Sequence, residues 1–539
     1  MQANDAVLEA RVGWLRNMPY LALSALIHLL VLLLLLNLVF RKEPEKENEV
    51  SLVLSMAPRP EAKPPAYDPK PKRGVFETRK IPLKEPTERP LVRLKPRERH
   101  LEPFDDPRGT SLRNLTDVNL VFSASGNETE TNRSIGVGPG VAGAYGQRWG
   151  KDALLNEGGG PRTEPARRAA LEWLRRHQSP DGSWKSAGYT AQCTQKCQSV
   201  DAAKYGSGQG LPDFDVGVTG LAMLAFAGTG HTHQTGEYEE YADCLRKAVA
   251  YLKQVQVHSD DAATHGRFGG AEHEQWIYNH AIATMALCEL YVLTRDVYLK
   301  KPVTDAVKLC LRAQNEGRGW RYGIKPGDND TSVTGWMVLA LKTATNARSS
   351  LTEDAPLGIP KEEYERAFQG ARNWFDFVTA SDGRTGYVAP GDAGSRLQTI
   401  PEPYPYSKEL SCMTAVAVLC RLFAGESRES KTVKAGVDFL MRHTPEWREQ
   451  KARSLSTINL YHWYYASYAL FQYGGAPWKA WNPRMIEALV PTQRKGEICE
   501  DGSWDPIDEW GAAGGRIYAT ALGAMTLEVY YRFRRMEGG

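Results

Sequence analysis

Two carboxylates lie where a strongly apolar helix is predicted to begin. Asp328 and Asp330 precede the run from Val333 to Leu341, which is apolar nearly all round. A carboxyl group at the head of such a helix can donate a proton, or it can cap the helix by accepting a hydrogen bond from a backbone N–H. Asp330 and Thr331 suit the capping role. The residues themselves therefore favour a structural role, with acid catalysis as the alternative.

A second group with chemical potential is a pair of cysteines in a long predicted loop. Cys193 and Cys197 are separated by three residues, whereas five of the other cysteines fall in apolar helical patterns typical of small core residues. Two thiols this close can form a local disulfide or supply half of a metal site. No second pair has zinc-ribbon spacing, so we favour a disulfide or two free thiols.

Polar residues also recur at one position near the start of each predicted buried helix. At one mouth of the fold they would form a ring, where helix N-termini favour anions or hydroxyl-rich ligands. Capping within each helix explains the threonines without a ligand, but it explains the two histidines less easily. The predicted cavity residues are Asp215, Thr219, His280, Thr334, Thr414, His462, Thr520 and the aromatic Trp463.

One cycle occurs six times between Ala166 and Phe533: an amphipathic helix, a polar turn rich in Gly and Trp, and a helix of Ala, Gly, Thr and Leu. The second helix of a cycle is apolar on every side, as in the stretch from Met413 to Leu419, which indicates a place in the interior. We predict an all-α fold, a six-hairpin α/α toroid with the apolar helices inside and a cavity at one mouth.

The turn motif resembles that of a known family. Gln178 through Trp184 fits the Gln-x3-Gly-x-Trp repeat of squalene-hopene cyclases and the related prenyltransferase β-subunits, and the resemblance covers roughly residues 160 to 535. In that family the Gln closes the end of the outer helix and the Trp stacks on the next turn. The resemblance therefore implies the toroid fold and says little about chemistry.

Two catalytic patterns of the family are incomplete here. Class II cyclases carry Asp-x-Asp-Asp-Thr at the head of an inner helix; Asp330 and Thr331 match it, but Gly327 and Asn329 replace its first and third positions. Zinc-dependent prenyltransferases use Asp-x-Cys and a later His. Glu409, Cys412 and His462 come closest, with Glu in place of Asp and displaced by one residue. We expect no cofactor, with zinc as the alternative.

The N-terminal part of the chain predicts a membrane anchor. Residues 20–40 form an apolar run of 21 residues, long enough to cross a bilayer core of about 30 Å. Residues 1–19 would lie in the cytoplasm. Residues 41–160 are a predicted Pro-rich and then Gly-rich linker, since 13 of the 32 prolines lie in 41–110 and such a segment cannot bury a core. The toroid occupies residues 161–535.

The predicted anchor contains Ser24 and His28, one helical turn apart, and an intramembrane His is a functional candidate. This spacing, followed by a Pro-rich stalk, resembles TonB-type energy transducers, which engage a proton-driven motor complex and face the periplasm. The resemblance implies a single-pass protein of a bacterial inner membrane, with its C-terminal domain outside the cytoplasm. An ordinary anchor with two tolerated polar residues is the alternative.

The charge pattern excludes one class of partner. The net charge is +3, and the basic excess lies in the predicted stalk, so nothing indicates nucleic-acid binding. Since both family catalytic patterns are incomplete, we expect a module that binds a small molecule, glycan or peptide, or assembles with a partner. An enzyme of the cyclase or prenyltransferase type, and a carbohydrate-active hydrolase or lyase, are the alternatives.

Overall fold

The computed structural model describes residues 158–193, 208–234, 239–347, 355–392, 412–448, 458–496 and 498–532, together with His28. The chain forms two compact units, Met1–Glu98 and Arg99–Gly539. In the first unit the structure describes His28, which is helical and exposed. The elements below all belong to the second unit.

Six helices of this unit have one buried and one exposed face. In α1, Thr163–Arg176, the residues Ala166, Ala170 and Leu174 are buried at a four-residue spacing, which places them on one side of the helix. Charged side chains cover the other side. The helices of the same kind are α3 Glu239–Val255, α5 Val297–Ala313, α7 Lys361–Val378, α9 Lys431–Met441 and α11 Gly475–Leu489.

Six further helices alternate with these and are buried on nearly every side. In α6 every residue from Thr331 to Ala344 is buried, as expected for a helix without a polar face. This set consists of α2 Asp215–Gly228, α4 Trp276–Thr294, α6 Thr331–Thr345, α8 Cys412–Phe423, α10 Leu460–Tyr473 and α12 Gly511–Leu527. A short helix, α13 Val529–Arg532, follows them.

The buried helices form a closed inner ring. Each packs against the next along the chain, from α2 through α12, and α12 packs against α2. The amphipathic helices lie outside this ring and contact their inner neighbours. The part of the chain that the structure describes contains isolated β-bridges but no β-strand. This arrangement is that of an α/α toroid, as the sequence predicts.

The turns between outer and inner helices hold neighbouring hairpins together through a glutamine. Gln178 Nε2 donates to Gly182 O in its own turn at 2.9 Å and to Cys244 O in the next outer helix at 2.8 Å. Gln256, Gln314 and Gln493 each make the same two kinds of hydrogen bond. The glutamine therefore both closes its own turn and binds the adjacent repeat.

The tryptophan of the turn is anchored in the same hairpin. Trp184, Trp320 and Trp504 are fully buried, and each indole N–H donates to a carbonyl at the end of its own outer helix. The family resemblance implies that this Trp stacks on the next turn. The hydrogen bonds fix the indole against the helix that precedes it, and its stacking on the next turn stays a prediction.

The predicted anchor of residues 20–40 lies outside the described residues except for His28. The linker of residues 41–160 lies outside them up to position 157. No helix in the described part of the chain is long and apolar enough to span a bilayer.

Candidate functional site

A cavity opens where the inner helices begin. Five of the six inner helices, and the segments before three of them, contribute to its wall, which places it at the centre of the ring. Its empty volume is about 630 Å³, counting the open solvent at its mouth. Its wall consists of Phe214, Gly217, Val218, Leu221, Gln275, Tyr278, Asn279, Ile282, Ser332, Trp336, Tyr461, Trp510, Ala513, Gly514 and Tyr518.

The cavity wall is aromatic and aliphatic. Trp336 stacks on Tyr464, with ring centroids 6.0 Å apart, and lies 6.3 Å from Tyr461, which in turn meets Trp510 at 6.2 Å. The polar members of the wall are uncharged, and one of them, Ser332 Oγ, lies 3.0 Å from the Tyr461 hydroxyl. A wall of this kind suits an uncharged apolar ligand rather than an anion or a cation.

Asp330 is a buried carboxyl group near this cavity. It is fully buried and caps α6, because its Oδ1 accepts a hydrogen bond from Val333 N–H at 2.7 Å. Tyr387 Oη donates to its Oδ2 at 3.2 Å. Burial raises the pKa of Asp330 to about 7, against the opposing effects of the Val333 N–H and of the Arg321 guanidinium.

Tyrosines connect Asp330 to the cavity wall. The hydroxyl of Tyr387, which contacts Asp330, lies 2.6 Å from that of Tyr322. The Tyr322 ring lies 6.1 Å from that of Tyr278, a residue of the cavity wall. The sequence places Tyr322 and Tyr387 shortly after Gly319 and Gly386, in the turns before two inner helices. It did not indicate that turns from successive repeats meet at Asp330.

The other predicted acid, Asp328, occupies a different environment. Its carboxylate is largely exposed and lies 2.9 Å from the Arg321 guanidinium. Asn329 accepts a hydrogen bond from Asn315 Nδ2 through its side-chain oxygen at 3.0 Å. The three consecutive residues therefore serve as a surface ion pair, an amide contact and a helix cap.

The predicted polar ring has a structural explanation in five of its six members. Thr219, Thr334, Thr414 and Thr520 each accept a hydrogen bond from the backbone N–H of a residue in the preceding turn. His280 Nδ1 does the same for Phe268 N–H, at 3.3 Å. These residues share one position in the repeat, as predicted. Their side chains bind the backbone of the preceding turns, and other residues form the cavity wall.

The remaining predicted cavity residues are likewise outside the cavity wall. Asp215 Oδ1 accepts hydrogen bonds from the backbone and the hydroxyl of Ser186, at 2.8 and 2.7 Å. Trp463 is buried against Trp447. The His462 ring packs on Trp481, and burial lowers its pKa to about 4. Both ring nitrogens of His462 are buried without a hydrogen-bond partner among the described residues.

The structure places the two described members of the predicted zinc set in different surroundings. Cys412 Sγ receives a hydrogen bond from Asn459 Nδ2 at 3.1 Å, and burial raises the pKa of its thiol. His462 faces Trp481 instead. Glu409 lies outside the described residues, as do Ser24 and Cys197. Cys193 is described, with Sγ 3.5 Å from His177 Nε2, so its predicted disulfide with Cys197 stays a prediction.

Comparison with known proteins gives structural similarity alone. No protein-family model and no curated protein matches the sequence. The α-1,6-mannanase GH76A of Salegentibacter sp. HEL1_6, solved as an inactive variant with α-1,6-mannotriose, is similar at 9% identity and a TM-score of 0.43, over 68% of this chain and 99% of that chain. An α-amylase from Clostridium perfringens is similar at 11% identity and a TM-score of 0.42, over 68% of this chain and 97% of that chain.

A type II terpene cyclase from Scytonema, in complex with geranylgeranyl dihydroxybenzoate, is similar at 13% identity and a TM-score of 0.39, over 69% of this chain and 97% of that chain. Scores this low carry no inference about the activity of this chain.

Proposed function

We propose that the toroid is a binding module that holds an uncharged, largely apolar ligand, such as a polyprenyl chain, in its central cavity. The observation that carries this proposal is the composition of the cavity wall. Trp336, Tyr461, Trp510, Phe214 and Tyr518 supply aromatic surface, and no charged residue is among the described residues of the wall. Burial of apolar ligand surface would drive binding, while the half-buried Gln275 side chain would hold a hydroxyl or carbonyl head.

The same module is not expected to cyclise its ligand as class II cyclases do. Protonating an unactivated alkene needs a strong acid aimed into the cavity. Asn329 stands at the third position of the cyclase motif and is engaged by Asn315. The carboxylate of Asp330 accepts hydrogen bonds from the Val333 N–H and the Tyr387 hydroxyl. The carboxyl groups of this segment are thus used for capping and for a surface ion pair.

Acid catalysis on an isoprenoid is a second candidate function, favoured by one observation. The raised pKa of Asp330, about 7, leaves a large fraction protonated at neutral pH. The Tyr387 hydroxyl is hydrogen-bonded to this carboxyl group and to the Tyr322 hydroxyl, and the Tyr322 ring contacts that of Tyr278 in the cavity wall. A cyclised product that the native chain forms and Asp330→Asn does not would establish this function.

A hydrolase acting on glycans would need two carboxylates beside the cavity.

The proposal includes a place for the module in the cell. The apolar run of residues 20–40 supports a single-pass anchor, and residues 41–160 would separate it from the toroid. Ser24 and His28 would face a partner helix of a proton-driven motor, because a polar pair facing lipid is unfavourable. We place the toroid outside the cytoplasm of a bacterial inner membrane, with the TonB-like anchor as the feature that supports this orientation.

Ligand binding can be tested by tryptophan fluorescence, because Trp336 and Trp510 line the cavity. The full-length chain in detergent is titrated with geranylgeraniol and, separately, with mannotriose. We expect saturable quenching by the polyprenol. Val218→Phe, which narrows the cavity, should weaken binding at least about tenfold, the equivalent of about 1.4 kcal/mol.

The matched control is Val297→Phe, the same change at a residue that is 74% exposed on α5. This variant should bind geranylgeraniol like the native chain. Saturable binding of mannotriose without binding of the polyprenol would favour the carbohydrate alternative. If Val218→Phe and Val297→Phe bind geranylgeraniol with equal affinity, the central cavity is not the binding site.

A further inference from the structure

A cluster of one imidazole and two thiols lies apart from the central cavity. His177, Cys193 and Cys499 each offer one ligand atom, and these atoms all lie within 4.8 Å of one another. His177 and Cys499 are buried, and Cys193 is half-buried. His177 follows α1 in the first hairpin, whereas Cys499 belongs to the turn before α12 in the last one. The cluster therefore lies where the ring of hairpins closes.

The hydrogen bonds of His177 identify which ring nitrogen is available to a metal. Nδ1 lies 2.8 Å from Trp173 O, and since a carbonyl oxygen only accepts, Nδ1 carries the proton. The lone pair of Nε2 is therefore free for a metal. Nε2 lies 3.2 Å from Cys499 Sγ and 3.5 Å from Cys193 Sγ. A zinc-ligating histidine usually donates its other ring N–H to a carbonyl, a carboxylate or water, as His177 does to Trp173 O.

The two nitrogen–sulfur separations are close to those of a tetrahedral metal site. Zinc bonds of about 2.3 Å to sulfur and about 2.0 to 2.1 Å to nitrogen place a tetrahedral nitrogen and sulfur about 3.6 Å apart, and two sulfurs about 3.8 Å apart. The distances of 3.2 and 3.5 Å from His177 Nε2 are close to the first of these values. Two thiolates and an imidazole form a soft ligand set, which favours zinc over magnesium or calcium.

We propose that His177, Cys193 and Cys499 bind one zinc ion that joins the first hairpin of the toroid to the last. The surrounding contacts already connect these two hairpins. Trp173 Nε1 donates to Cys499 O at 3.0 Å, and an Arg176 guanidinium nitrogen donates to Asp501 O at 2.9 Å. A metal at this seam would stabilise the closed ring. The three protein ligands leave one tetrahedral position for a fourth ligand.

A similar pair elsewhere in the chain shows what distinguishes this cluster. Cys310 Sγ lies 3.4 Å from His280 Nε2. His280 Nδ1, however, accepts a hydrogen bond from Phe268 N–H, so the proton is on Nε2, which lies 3.2 Å from Ala306 O. The His280 pair therefore presents a protonated nitrogen to a single sulfur. It is not part of a three-ligand group in the described part of the chain, which makes Cys310 a matched control.

The test is metal analysis of the full-length chain, purified in detergent under reducing conditions without chelators and then equilibrated with zinc. We expect about one tightly held zinc per chain. Cys499→Ser should weaken zinc binding by more than about tenfold, since the loss of an outer-shell partner alone costs that much affinity, and the variant should lose its zinc. Cys310→Ser and Cys412→Ser should keep the metal. A native chain without zinc would overturn the proposal, as would zinc retained by Cys499→Ser.

A second measurement covers the case in which Cys499→Ser does not fold. Cys193 is half-buried, so Cys193→Ser is expected to keep the fold. With cobalt in place of zinc, the native chain and Cys310→Ser should show sulfur-to-cobalt charge-transfer absorption, which Cys193→Ser should reduce. A chelator should lower the melting temperature of the native chain but leave that of Cys193→Ser unchanged. Equal effects of the chelator on both chains would refute the metal link.

Discussion

At the scale of single residues, Asp330 combines two roles that make opposite demands on its carboxyl group. As the cap of α6 it accepts the Val333 N–H at 2.7 Å, an interaction that favours the charged form. Its complete burial favours the neutral form and dominates, so that its pKa is about 7. The carboxyl group therefore titrates near neutrality while it holds the start of an inner helix.

Replacing Asp330 by Asn separates these roles, because Asn also caps helices but cannot ionise. The pKa of Asp330 is raised in the folded chain from 3.8 to about 7, so the folded state binds the proton more tightly than the unfolded state. The native chain should lose stability through this group as pH rises from about 4 to 7. We expect the stability of Asp330→Asn relative to the native chain to rise over that range by up to about 4 kcal/mol, then to level off.

The measurement is chemical denaturation of both chains at several pH values. Taking the difference between them cancels the contributions of His177, His280 and His462, whose pKa values burial lowers. Asp330→Ala serves as the control, because it also cannot ionise but loses the cap, and should be less stable than Asp330→Asn by about 1 kcal/mol at every pH. A pH-independent difference between native chain and Asp330→Asn would refute the raised pKa.

The sequence predicted part of this site. The capping role of Asp330 follows from its place before an apolar run, because N-caps depend on local chain geometry. The equivalence of Thr219, Thr334, Thr414 and Thr520 followed from the repeat. Their partners did not, since whether such a hydroxyl faces a cavity or a backbone N–H depends on how the turn folds back over its helix. Trp510 and Phe214 in the cavity wall come from irregular segments without periodicity.

At the scale of the elements, the glutamine of each turn is the link from one repeat to the next. Gln493 is the example at the seam: its Nε2 donates to Gly502 O at 2.8 Å and to Ala166 O in α1 at 2.7 Å. Gly502, in the same turn, has a φ of 91°, and a Cβ there would lie 2.2 Å from Ala169 O. The turn therefore approaches α1 more closely than a residue with a side chain would permit.

Gln493→Ala should remove the side-chain donor from Gly502 O in the turn and from Ala166 O, which keeps its hydrogen bond within α1. Since Gln493 is only 4% exposed, water cannot easily replace it, and we expect a loss of about 1 to 3 kcal/mol in the free energy of unfolding. Gln314→Ala is the matched control: Gln314 makes the same pair of bonds, at 2.7 and 2.8 Å, in a more exposed turn. Its loss should be smaller. Denaturant titration measures the free energy of unfolding of both variants. Equal losses in the two variants would contradict a role for the burial of Gln493.

The helices themselves were largely predictable. The starts of α2, α4 and α6 fall at Asp215, Trp276 and Thr331, as the change from a polar turn to an apolar run indicates. The sixth inner helix begins with a short turn from Gly511, which Gly515, with a φ of 66°, separates from the regular part of the helix. The start of a helix is hard to recognise in the sequence at a pair of glycines, since such pairs are typical both of turns and of closely packed helices.

At the scale of the whole molecule, the toroid is closed by contacts between the two ends of its repeat array. α12 packs on α2, and the turn before α12 binds α1 through Gln493, Trp173 and Arg176. A linear array of hairpins would leave the inner face of its terminal repeats uncovered. Closure covers both of these faces and encloses the cavity that would hold the proposed ligand.

The proposed membrane anchor can be tested by truncation. Residues 20–40 are apolar enough to span a bilayer, so removal of residues 1–42 should move the chain from the membrane pellet to the supernatant. Replacing both Ser24 and His28 by Leu should keep the chain in the pellet, because hydrophobicity rises, while abolishing the crosslinks to motor subunits that the proposal expects from this segment. Retention of the truncated chain after a high-salt wash would reveal another anchor. Crosslinking from position 28 to lipid alone would reduce the segment to a tether.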